Sequence, residues 1–297
     1  MRTTLSSSFA RVVCMASRAV LAALDEGLVR IAATNRPITV RGVFYRTVTE
    51  GLVPKDETKG YRVVQRRLVK LRLEGDIPYG WITDGSRTIH RHVRYQDADE
   101  FARSVKFRYR QDYWRDAEEY VEVWVEKEAM VGVLKPVVID EFGLDLYVTR
   151  GFSSVTYLQE AAQDINCEER PVYVYVLTDF DPYGRNIAER IEEELTERCF
   201  DADLHVERIA VTAEQIQRYS LPTRPTKKSR RKGATYYELT HGPVSVELDA
   251  FPPNVLRRIV TEHVERHMDH WQLEQMRMVE REEREGLARL LAGGGSS

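Results

Sequence analysis

Two carboxylates stand two residues apart, Asp179 and Asp181, directly after an apolar run in the stretch VYVYVLTDFDPYGRN, Val172 to Asn186. Val172 to Leu177 are all apolar or aromatic, and with the Pro-Tyr-Gly turn after them they predict a strand buried on both faces. The acids then lie at its carboxyl end, where open α/β sheets build their sites. Two like charges this close repel by ~4 kcal/mol at an effective dielectric of ~20, so the pair favours a cation between them. Asp at i and i+2, offering oxygen donors only, suits Mg²⁺ better than zinc. Taken alone, a DxD is more simply a strand-end turn with solvated acids.

A third acid changes that reading. VEVWVEKEAM, Val121 to Met130, places Glu126 at the end of its own strand, facing the same crevice as Asp179 and Asp181. Glu128 falls in the first turn of the next helix, where the helix dipole explains an acid. Glu126, Asp179 and Asp181 are therefore the expected Mg²⁺ ligands. Mg²⁺ beside a phosphodiester would polarise it and stabilise the leaving oxygen.

The elements that must position these acids alternate in type. Strand Val121–Val125 precedes helix Lys127–Phe142, strand Leu144–Thr149 and helix Thr156–Ile165. Strand Val172–Leu177, helix Gly184–Cys199 and strand Leu204–Val211 follow. This alternation predicts a parallel sheet with right-handed crossovers.

Upstream the pattern is helical. A first helix spans Phe9 to Ala33; a second, VRGVFYRTVTEGL, is capped by Thr39 and stopped by Pro54; a third runs from Tyr61 to Glu74. Short strands around Tyr79–Ile82 and Thr88–Val93, joined at Asp84-Gly85-Ser86, complete a winged helix-turn-helix pattern. From Arg36 to Arg94 there are 13 Lys/Arg and 6 Asp/Glu, a local +7 in a chain of net charge −3. Arg62, Arg66, Arg67 and Lys70 on the third helix, with Arg87 and Arg91 on the wing, are the candidate contacts to double-stranded DNA. The plainer alternative is a solvated helix face.

The 297 residues suggest two domains. We expect a helical, winged-helix DNA-binding domain over 1–97, a connector over 98–119, an α/β domain with a C-terminal helix over 120–291, and a flexible tail over 292–297. The basic loop Arg224 to Lys232 holds six basic residues and no acid, and suits phosphate. The last long helix is read from Asn254 to Leu291. On it, His263, His267 and His270 fall at i, i+4 and i+7, which reads as a solvated face rather than a metal site. Gly151 to Ser154 precede a helix, with Ser153 or Ser154 as its cap. Three scattered cysteines suit a reducing cytoplasm. No apolar run approaches a membrane span, so no membrane partner is expected.

VEKEAM, TRGFSSVTYL and LTDFDPYGRNIA together resemble the TOPRIM domain of the topoisomerase VI A subunit and its meiotic double-strand-break relatives. RGVFYR is similar to that family's winged-helix motif, and SVELDAF to its late glutamate-containing motif. The resemblance covers about residues 36 to 270. It implies a fold of N-terminal winged helix-turn-helix followed by a Rossmann-like TOPRIM domain. It also implies Tyr45 as nucleophile, Arg41 as its supporting cation, and Glu126, Asp179 and Asp181 as Mg²⁺ ligands. The product would be a phosphotyrosyl bond to a 5′ DNA end, made in a homodimer in which one subunit's tyrosine meets the other's metal site. The chemistry is coherent, since a phenol needs a base or a nearby cation, and Arg41 and Tyr45 share a helical face. Phe44 stands where relatives often carry a second tyrosine. Topoisomerases of this class need a separate ATPase subunit, and a nucleoid-associated cytoplasmic location follows. The competing readings are a TOPRIM-type hydrolytic nuclease with water as nucleophile, and a non-catalytic DNA-binding recombination protein.

Overall fold

The structure, a computed structural model, describes residues 6–83, 92–150, 155–226 and 242–293, with the side chains of 6–18, 155, 288, 292 and 293 excepted. The chain opens with three helices, α1 (Ser6–Asn35), α2 (Val40–Thr49) and α3 (Arg62–Glu74), which pack on one another. Thr39 caps α2 as expected, its side chain accepting from the Gly42 N–H at 2.8 Å. The helix stops at Thr49, before Pro54, and the polar stretch ahead of α3 is a π-helical turn, Glu57–Tyr61, capped by Asp56. Gly75 ends α3 in the left-handed region, φ +88°, where a residue without Cβ is unstrained.

The strand expected at Tyr79–Ile82 is a 3₁₀ turn, Tyr79–Trp81, leading into the two-residue strand β2 (Ile82–Thr83). β2 pairs in parallel with β1 (Ile38–Thr39), ahead of α2. The turn at 84–86, with Arg87 and Arg91, lies outside the described residues, and His92 and Val93 are not in a strand. The expected connector contains a helix, α4 (Ala98–Arg108), which packs along the C-terminal helix.

The α/β part is a four-stranded, all-parallel sheet of order β4-β3-β5-β6: β3 (Tyr120–Val125), β4 (Leu146–Val148), β5 (Val172–Leu177) and β6 (Leu204–Ala210). Between them lie α5 (Val131–Val138), α6 (Val155–Asn166) and α7 (Pro182–Arg198). The central strands are buried on both faces, as the apolar run predicts. Tyr175 and Leu177 join the core shared with the N-terminal helices, while Val172, Val174 and Val176 pack with Leu158, Ile165, Ile187 and Leu195 of α6 and α7. The chain leaves β3 toward β4 on one side and leaves β5 toward β6 on the other. The strand order therefore reverses between β3 and β5, and the crevice at their carboxyl ends is the switch point of the sheet.

After α8 (Ala213–Arg218), strands β7 (Arg224–Pro225) and β8 (Val244–Ser245) pair antiparallel. The long terminal helix is two: α9 (Pro253–Val264) and α10 (His270–Gly293). The break follows from His267, whose imidazole turns inward to Glu119 and to the Tyr175 hydroxyl, 2.5 Å away, while Asp269 accepts from the Trp271 N–H to start α10. The three histidines do not share a face. His263 bonds Ile259 O, the imidazole of His267 is covered, and His270 is exposed near Glu265. No helix among the described residues is long and apolar enough to cross a membrane.

Candidate functional site

β3 and β5 run in register, Val125 opposite Leu177, so the residues after them emerge side by side. The Glu126 N–H donates to Leu177 O at 3.0 Å, and the Asp179 N–H donates to Glu126 Oε2 at 3.1 Å. Both side chains are buried. Burial, and then the charge of Asp179, raises the Glu126 carboxyl to about 7. Burial raises Asp179 to about 6 against the opposing pull of Lys127. Asp181 is differently placed: its Oδ1 caps α7, accepting from the N–H groups of Tyr183 (2.9 Å) and Gly184 (2.7 Å). A Cβ on Gly184 would stand 2.2 Å from Asp179 O, so the glycine of DFDPYG lets the helix close onto the acid. Glu128 turns away to Arg150, at 2.9 Å.

A segment from the distant SVELDAF motif completes the crevice. Val246 and Phe180 exchange backbone hydrogen bonds of 2.8 and 2.9 Å. Leu248 N–H donates to Asp179 Oδ1 at 2.9 Å. Lys127 Nζ lies 2.8 Å from Asp179 Oδ2 and 3.2 Å from Asp249 Oδ2. Burial works against the Lys127 charge, but Asp179 and Asp249 outweigh it and hold the ammonium protonated well beyond the usual lysine range. Thr39, the cap of α2, donates to Asp249, and Arg46 donates to Ala250 O.

Glu247 joins this segment to Tyr45. The Tyr45 hydroxyl donates to Glu247 Oε2 at 3.1 Å, Arg41 Nε lies 3.4 Å from the same oxygen, and Arg224 pairs with Oε1. Tyr45 is 2 % exposed. Burial first, then the charge of Glu247, pushes its phenol far above the ordinary range, with Arg224 and Arg41 opposing. Arg41 also donates to Glu57 at 2.7 Å and stacks over the Tyr61 ring. One short segment thus carries the contact to Tyr45, the contact to Asp179 and the partner of Lys127.

The basic residues of α3 divide in two. Arg62 and Arg66 are exposed, and Lys70 is exposed with Glu74 at 3.4 Å. Arg67 folds back onto Asp25 of α1, its Nε 2.7 Å from Oδ1. Arg87, Arg91, Gly151 to Ser154 and most of the basic loop lie outside the described residues.

Glu126 and Asp179 are the pair that could hold a cation, with Asp181 close by on the same β5–α7 connection. Among the described residues, no three His, Cys, Asp or Glu side chains are grouped as ligands of a metal ion would be. The sequence assigned no role at this site to Lys127 of VEKEAM or to Arg224 at the head of the basic loop, and Glu247 and Asp249 entered only as part of SVELDAF. For Glu247 and Asp249 a signal was present in the spacing of that motif, acids at i and i+2 as in DFD. No model of a protein family and no curated protein matches the chain.

Proposed function

We propose that this chain cuts DNA in a Mg²⁺-dependent reaction, as a winged-helix and TOPRIM enzyme of the topoisomerase VI A type. The observation that carries the reading is the contact of Glu126 with Asp179 at the switch point of the sheet. Two buried carboxylates whose proton affinities are raised together form a site short of positive charge. The donors are all hard oxygens, which suit Mg²⁺. The Lys127 ammonium against Asp179 stands in for such a cation, so the donor set fits. Glu126 and Asp179 would hold the ion, with Asp181 as the third carboxylate. When bound, Mg²⁺ supplies polarisation of the phosphodiester and charge for the leaving oxygen. The exposed Arg62, Arg66 and Lys70 supply a basic face for duplex DNA.

Two nucleophiles suit this site. In the transesterase reading Tyr45 gives its proton to Glu247, with Arg41 and Arg224 steadying the phenolate as it forms. The phenolate then leaves Glu247 and attacks the phosphorus, and the 3′ oxygen of the broken phosphodiester departs as the 5′ phosphotyrosyl bond forms. A homodimer, a separate ATPase subunit and a nucleoid-associated cytoplasmic location belong to that reading. In the hydrolytic reading water attacks and Tyr45 stays an anchor. The burial of the phenol and its raised proton affinity favour water, because attack by Tyr45 first requires leaving Glu247.

The test is supercoiled plasmid with Mg²⁺, denatured and examined for protein on the ends, with wild type, Tyr45→Phe and Asp179→Asn. Hydrolysis predicts free ends that persist in Tyr45→Phe and vanish in Asp179→Asn. Transesterification predicts protein-linked ends lost in both variants. Cleavage unchanged in Asp179→Asn would reject the metal site altogether.

A further inference from the structure

Lys127 follows Glu126 directly, and its backbone is extended, φ −111° and ψ 126°. Its ammonium touches two carboxylates from different parts of the chain, Asp179 Oδ2 at 2.8 Å and Asp249 Oδ2 at 3.2 Å. Both oxygens of Asp179 are engaged in this arrangement, Oδ1 accepting from Leu248 N–H and Oδ2 from Lys127. A cation arriving at Asp179 Oδ2 meets the ammonium there and shares that oxygen with it or displaces it. Asp249 is a second seat, already fixed by Thr39, to which the ammonium can withdraw without becoming unpaired. The lysine side chain keeps 26 % exposure, so it is not locked in the core.

Charge leads to the same place. Ionised Glu126, Asp179, Asp181 and Asp249 with one ammonium leave three negative charges, of which one divalent cation cancels two. A lysine retained beside the ion, rather than expelled, leaves one uncancelled negative charge instead of two.

We propose that Lys127 is a built-in counter-cation that gates metal entry, its ammonium passing from Asp179 to Asp249 as Mg²⁺ binds at Glu126 and Asp179. The proposal rests on the Mg²⁺ reading of this site. Lys127 is then a positioning residue that sets the Mg²⁺ concentration at which the site fills. The two sides of the hand-off act in opposite directions. Removing the ammonium leaves the carboxylates short of charge and tightens Mg²⁺ binding; removing its second seat holds it on Asp179 and weakens Mg²⁺ binding.

The experiment is calorimetric titration of the full chain with Mg²⁺, without DNA, on wild type, Lys127→Met, Lys127→Arg and Asp249→Asn, with circular dichroism to check folding. Lys127→Met is expected to bind Mg²⁺ about tenfold more tightly, Lys127→Arg like wild type, and Asp249→Asn several-fold more weakly. Asparagine keeps the acceptor for Thr39, so Asp249→Asn tests the proposal even if Lys127→Met fails to fold. Wild type that binds Mg²⁺ while Lys127→Met binds no tighter, or while Asp249→Asn binds no weaker, would make Lys127 a structural brace and overturn the gate alone. Absence of Mg²⁺ binding in wild type and every folded variant would overturn the metal reading and the gate with it.

Discussion

The Tyr45 hydroxyl donates a 3.1 Å hydrogen bond to Glu247 across 202 positions of sequence, and the next residue, Leu248, donates its N–H to Asp179. A phenol on an N-terminal helix and a carboxylate at the end of a sheet strand are therefore held by adjacent residues of one segment. The candidate nucleophile and the candidate metal site are mechanically joined within one chain.

Unequal costs follow on the two sides of this contact. Tyr45→Phe removes one neutral donor and leaves Glu247 paired with Arg41 and Arg224, so it should destabilise by about 1 kcal/mol. Glu247→Ala leaves two guanidinium groups without their shared acceptor. Both arginine side chains are about a quarter exposed, so the loss should be about 2–3 kcal/mol, below that of a fully buried pair. Urea unfolding of the two variants measures the difference; equal midpoints would mean that Glu247 is not the hub.

Gly184 offers a test of the α7 approach. A methyl group there would meet Asp179 O at 2.2 Å, and backbone cannot yield as a flexible side chain can. Gly184→Ala should destabilise by about 2–3 kcal/mol and weaken Mg²⁺ binding, because relief of the clash moves Asp179. At Gly286 a Cβ would have nothing within 4 Å, so Gly286→Ala serves as the control; as a helix-interior change it should stabilise slightly. Thermal melts with and without Mg²⁺ read both effects.

Much of the sheet and its paired acids was legible from local pattern. The run Val172–Leu177 is the observed strand, and Glu126 and Asp179 meet because the two strands that carry them are neighbours. The acids of SVELDAF were visible as a motif, but how the hub assembles was not legible, because Lys127, Glu247 and Asp249 owe their positions to contacts with residues up to 210 positions away that no periodicity encodes. The break at His267 escaped for the same reason. Its sequence is helical by composition, whereas its imidazole pairs with Glu119, 148 positions upstream, and with Tyr175, 92 positions upstream.

A carboxylate unconnected with the site contributes to the pH response beside Glu126 and Asp179. Glu122 is fully buried on β3, with Trp124 Nε1 2.7 Å from its Oε2, and burial raises its carboxyl to about 7 despite that bond. Its ordinary value is 4.5. Below about pH 4.5 the group is protonated in both folded and unfolded chains, and its stabilising contribution is complete. As pH rises to about 7 the unfolded chain ionises first, and that contribution is lost. Glu122→Gln should match wild type near pH 4.5 and exceed it by roughly 3 kcal/mol at pH 8. Denaturation midpoints at the two pH values decide; a variant no more stable at pH 8 would show that Glu122 is ionised without penalty.

The basic helix supplies a prediction that separates binding from folding. Arg62 and Arg66 are exposed on α3, whereas Arg67 is turned onto Asp25 of α1 and holds the two helices together. If α3 meets DNA phosphates, Arg62→Ala and Arg66→Ala should each weaken binding uniformly across sequences and lower the salt slope by ~1. Their melting temperatures should stay unchanged. Arg67→Ala should instead destabilise by about 1 kcal/mol through loss of the Asp25 pair, with the salt slope intact once the protein is folded. Fluorescence anisotropy on duplex DNA at several salt concentrations, beside thermal melts, tests both. An Arg67→Ala variant that loses salt slope while keeping its stability would place the DNA on the α1 side of this helix and move the proposed interface away from Arg62 and Arg66.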